Sequence, residues 1–65
     1  MNSEKLQREI DLFIKHMATC DFQQRDYAIG ALAALLWVQD EGREPRQKYF
    51  IRAIELWNQQ REAQS

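Results

Sequence analysis

Apolar residues recur along this chain at helical spacing, in three successive blocks. In the first, Leu6, Ile10, Phe13 and Met17 follow one another at intervals of four, three and four, with Cys20 three further on. All five therefore fall on one stripe of a helix. Ser3 can cap the first turn through its hydroxyl, and Glu4 stands where the helix dipole favours negative charge. The pattern predicts helix 1 over about 3–18. Leu12 lies off the stripe and is expected at the surface. Glu4–Arg8 and Asp11–Lys15 are i,i+4 pairs in the favourable order, worth about 0.2–0.5 kcal/mol each.

The second block begins after Thr19 and Cys20. Asp21 followed by Gln24 is a variant of the capping box, so helix 2 is predicted over about 22–40. A single helix from Ser3 to Gln39 is the competing reading, because neither glycine nor proline stands at the break. Residues 27–38, YAIGALAALLWV, carry no charge. Phe22, Ile29, Ala33 and Leu36 form one stripe and Ala28, Leu32 and Leu35 a neighbouring one. Ala31, Ala34 and Val38 cover the remaining side. A helix apolar nearly all round belongs inside a structure rather than on it. Its small residues, Gly30 among them, would let another backbone approach closely, although a mid-helix glycine costs roughly 0.5–1 kcal/mol relative to alanine.

Gly42 is suited to the left-handed position that ends a helix, and Pro45 to the first turn of the next one. Helix 3 is predicted over about 45–60, antiparallel to helix 2 because the connection is short. Phe50, Ile54 and Trp57 form one of its stripes and Tyr49, Ala53 and Leu56 another. Lys48, Arg52, Glu55, Gln59 and Glu62 take the wet side. Beyond Asn58 the polar tail NQQREAQS is expected to fray. The fold class is therefore all-α: a hairpin of helices 2 and 3 plus an N-terminal helix, one small three-helix domain over 1–65.

Size limits what such a core can supply. A chain of 65 residues buries only about 60% of the surface its unfolded form exposes, and such a core rarely supplies more than roughly 3–5 kcal/mol. With Cys20 the one cysteine and His16 the one histidine, neither an internal disulfide nor a complete zinc site of the usual Cys/His type can form in one chain. Oligomerisation is the remaining remedy. A homodimer or heterodimer is expected, with Ala31, Ala34, Leu35 and Val38 of helix 2 at its interface.

The charge balance and the reactive side chains narrow the function further. Nine basic and ten acidic residues give a net charge of −1, which disfavours a binder of polyanions and makes nucleic acid an unfavoured partner. Arg43, Arg46, Lys48 and Arg52 do gather near Tyr49 and Phe50, but Asp40, Glu41 and Glu44 lie beside them. His16 and Cys20 share a helix face, yet no third member completes a metal site or a nucleophilic triad. The Asp40–Glu41 pair sits on a predicted loop. No catalytic residue, cofactor or metal is expected, and the chain is read as not an enzyme. The charge-free run is shorter than the ~20 residues of a spanning helix, and the charged N-terminus lacks the apolar region of a secretion signal. With a lone thiol, the expectation is a cytoplasmic protein without a membrane partner.

What remains is protein–protein contact. Trp37, Arg43, Arg46 and Tyr49 surround the predicted turn, and tryptophan, tyrosine and arginine are the residues enriched among binding hot spots. They are the expected partner-binding residues of an adaptor, co-chaperone or stoichiometric inhibitor. The alternative is a nucleic-acid-binding accessory protein using the Arg43–Arg52 patch. YFIRAIELW resembles the second helix of a tetratricopeptide repeat, but the preceding helix lacks that repeat's spacing and one copy has nothing to stack on. The chain length and the order Gly42, Pro45, Tyr49 are similar to the small helical-hairpin co-chaperones of type III secretion needle subunits. That resemblance covers one turn and its flanks, and implies a heterodimer with a larger helical-repeat chaperone.

Overall fold

The computed structural model describes residues 3–64. Its first helix, α1, runs Ser3–Met17 and buries Leu6, Ile10 and Met17. Phe13 is half-buried, Cys20 beyond the helix is buried, and Leu12 is exposed. Asp11 accepts a hydrogen bond from Gln7 Nε2 at 2.9 Å rather than pairing with Lys15.

The chain breaks where Asp21 stands. The last turn of α1 tightens, with Thr19 N–H and Cys20 N–H both donating to His16 O at 3.1 and 2.9 Å. Asp21 Oδ1 then accepts from Gln23 N–H at 3.0 Å. The turn it caps is a short 3-10 helix, Phe22–Gln24, and only after it does α2 run, Arg25–Gln39. The α-helix thus starts about three residues later than its capping signal suggests.

α2 ends in two successive left-handed residues, Glu41 at φ 57° and Gly42 at φ 67°. Glu41 N–H donates to Val38 O at 3.1 Å and Gly42 N–H to Trp37 O at 3.0 Å, the paired bonds of a Schellman motif. In that motif the residue immediately past the cap is Glu41, so Gly42 acts one position later than expected. Its glycine character is needed twice. The φ is unfavourable for a side chain, and a Cβ would stand 2.9 Å from Trp37 Cζ2.

α3 runs Arg46–Gln64, antiparallel to α2, and completes the three-helix bundle. Two expectations for it need correction. Its core seam is Tyr49, Ala53 and Trp57, buried at i, i+4 and i+8, whereas Phe50 is 48% exposed. Nor does it end near 60. Arg61 Nη1 donates to Cys20 O at 2.7 Å and to Met17 O at 3.4 Å, and the guanidinium lies 4.9 Å from the centre of the Trp57 ring. A cation thereby serves the carbonyls at the end of α1, where the helix dipole is negative, and the same contact holds the last turns of α3 in place.

The core joins Leu6, Ile10, Met17, Cys20, Ala28, Ile29, Leu32, Ala53 and Trp57. Among the described residues, α2 is covered on this side only. Tyr27, Gly30, Ala34, Trp37 and Val38 are all exposed.

Candidate functional site

The uncovered flank of α2 meets α3 in a groove of about 490 Å³. Its floor is made by the small residues Gly30, Ala33 and Ala34, and its walls by Trp37 on one side and Phe50, Tyr49, Gln47 and Arg46 on the other. The groove exists because α3 turns Tyr49 and Ala53 inward and so leaves Phe50 on the rim. Opposite it, α2 offers no side chain larger than a methyl group between Gly30 and Ala34 along this flank.

Trp37 is 41% exposed and is held by its ring lying on Gly42. Tyr49 was expected to reach a partner, but it is 8% exposed and works mainly within the fold. Its hydroxyl donates to Asp40 Oδ2 at 2.7 Å and accepts from Glu44 N–H at 2.9 Å. It therefore ties the end of α2 to the approach of α3. Burial first, and then the bond to the Asp40 carboxylate, push the phenol above its ordinary pKa of 10.0.

The basic patch is largely neutralised from within. Arg43 pairs with Glu41 at 3.8 Å, Lys48 with Glu44 at 3.3 Å and Arg52 with Glu55 at 3.2 Å. Arg46 makes no ion pair among the described residues and stands at the groove's end. Of the four residues singled out from the sequence, Trp37, Arg46 and Tyr49 line one groove and Arg43 does not.

The helix 2 positions also divide. Ala34 and Val38 are exposed, Ala31 is half-buried, and Leu35 packs against the core. Leu35 also lines a second, smaller groove of about 310 Å³ with Lys5, Leu6, Glu9 and Phe13. His16 is exposed while Cys20 is buried, so the two do not present a joint site. Among the described residues no group of three or more His, Cys, Asp or Glu side chains is placed to hold a metal. No helix among them is long and apolar enough to cross a membrane.

Tyr27 and Phe50 are exposed aromatic residues that the apolar stripes do not single out as surface. Tyr27 is 78% exposed on a helix where apolar residues on every side gave no reason to single out one. Comparison with protein-family models, with curated proteins and with solved structures finds no match to this chain.

Proposed function

We propose that this chain is a non-catalytic protein-interaction module, an adaptor, co-chaperone or stoichiometric inhibitor, that docks protein in the groove between α2 and α3. The observation that carries this reading is the apolar surface left open there. Trp37 and Phe50 line the groove, and Tyr27 and Val38 extend the same exposed stripe of α2. Contiguous apolar surface of this kind on a small protein marks an interaction site. Aromatic anchors beside a cation, here Arg46, are the composition that binding hot spots favour. The nucleic-acid alternative has less support, since three of its four cations already hold carboxylates and phosphate contacts need cations to spare. A cytoplasmic setting belongs to the same proposal and rests on the single unpaired thiol of Cys20.

Site-specific photo-cross-linking in the native host tests it. A benzophenone amino acid at Phe50 should give protein adducts. The same group at Leu12, which is slightly more exposed but lies on α1, should give few. Adducts from Leu12 with none from Phe50 would place the contact surface elsewhere and reject the reading.

A further inference from the structure

Resting on that docking surface, we infer that its occupant is a second copy of this chain, the two α2 helices crossing antiparallel about a two-fold axis near Gly30 and Ala34. The first support is the symmetry of the exposed face itself. Tyr27, Gly30, Ala34 and Trp37, all exposed, follow at spacings of three, four and three. Large, small, small, large reads the same in both directions. In an antiparallel pair the small residues of each copy meet at the centre, and each Tyr27 meets the Trp37 of the other copy. A two-fold interface requires this kind of self-complementarity, because one patch must serve as both surfaces.

Gly30 supplies the second support. Apart from its chain neighbours and the backbone of its own helix, a Cβ there would find no atom of the described residues within 4 Å, so packing inside the chain does not demand a glycine in the middle of α2. The space it leaves opens outward, where a second backbone at the crossing point would use it.

Charge is the third. Asp26 lies at the start of α2, fully out in solvent, its Oδ1 touched by the adjacent Arg25 at 3.3 Å. Arg46 lies by the other end of the groove, without an ion pair among the described residues. An antiparallel crossing brings Asp26 of each copy to the Arg46 end of the other, so the complementarity is satisfied twice.

The area is sufficient. Tyr27, Trp37 and Phe50 are 78%, 41% and 48% exposed. Since an aromatic side chain presents about 150–250 Å², these three alone leave on the order of 300 Å² open on each copy. With Gly30, Ala34, Val38 and the stems of Arg46 and Gln47, two copies together offer surface on the order of the ~1,000 Å² that a specific interface buries.

Sedimentation equilibrium of the whole chain from low to high micromolar concentration should show the mass rising from 7.8 kDa to twice that value. A monomer throughout overturns the inference. Ala34→Glu places a carboxylate at the crossing point and should give a helical monomer. Should that variant unfold, a charge exchange decides instead. Asp26→Arg and Arg46→Asp should each weaken the dimer by about tenfold, because each sets like charges together twice. An equimolar mixture of the two variants should regain wild-type affinity as a heterodimer, in which both cross pairs attract. A dimer indifferent to both variants, or a mixture that stays monomeric, overturns the antiparallel arrangement. A monomeric chain whose Phe50 adducts carry only another protein overturns self-association and leaves the docking surface standing. A dimer that cross-links through Leu12 alone overturns both.

Discussion

Replacing Arg61 with alanine removes one side chain from the polar tail and is expected to weaken the whole bundle. Three contacts disappear together. The carbonyls of Cys20 and Met17 lose a cationic donor at 2.7 and 3.4 Å, and Trp57 loses the guanidinium 4.9 Å from its ring centre. A hydrogen bond to a charged group contributes about 1.5–3 kcal/mol, and an exposed cation–π contact about 0.5–1 kcal/mol. Arg61 is half-buried and the Met17 bond is long, so the lower ends of these ranges apply, and coupled contacts do not simply add. The expected loss is about 2 kcal/mol, a large share of the roughly 3–5 kcal/mol such a core supplies. For a domain of this size each kcal/mol moves the melting temperature by roughly 4–8 °C, so thermal denaturation followed by circular dichroism should show a fall of about 8–16 °C. Arg61→Lys should recover part of it, since an ammonium keeps the charge but lacks the planar fork that can stack and donate at once. A melting temperature for Arg61→Ala within about 3 °C of wild type, less than one kcal/mol on this scale, would refute the view that this contact closes the bundle. It would restore the frayed tail.

Gly42→Ala must carry a side chain at φ 67° and push its Cβ against the Trp37 ring. A cost of about 1–2 kcal/mol is expected from the left-handed backbone alone, measured as a lower urea midpoint together with a change in Trp37 fluorescence. Tyr49→Phe leaves the Asp40 carboxylate and Glu44 N–H without their shared partner, and should lower the melting temperature at neutral pH. The wild-type phenol titrates above 10.0 in the folded state. Its contribution is therefore complete below the unfolded value and is lost as pH rises through the folded one. Alkaline denaturation should show this loss in the wild type and not in Tyr49→Phe. Cys20→Ala removes a buried thiol that donates to Met17 O at 3.8 Å. About 1 kcal/mol of stability should be lost to the small cavity, with cross-linking through Phe50 unchanged, and thiol reagents should label wild-type Cys20 only as the chain unfolds.

Features that depend on neighbours along the chain were legible in the amino-acid order. The stripe from Leu6 to Cys20 named the buried side of α1, because polar residues on its other faces left one orientation. Asp21 marked the break, and Gly42 with Pro45 marked the hairpin, since capping bonds and left-handed backbone are satisfied within a few residues. The rest came from packing between the helices. α2 is apolar on every side, so its composition carries no direction. Only the positions of α1 and α3 chose Ala28, Ile29 and Leu32 for the core and left Tyr27, Ala34 and Trp37 outside. Tyr49 and Phe50 are adjacent, and both are aromatic. The rotation of α3 that buries Ala53 turned the first inward and the second onto the groove. The tail around Arg61 reads as solvated because its partners, the carbonyls of Met17 and Cys20, lie more than forty residues earlier in the chain. A backbone carbonyl leaves no mark in a sequence. Only the packed bundle brings the end of α1 within reach of the guanidinium.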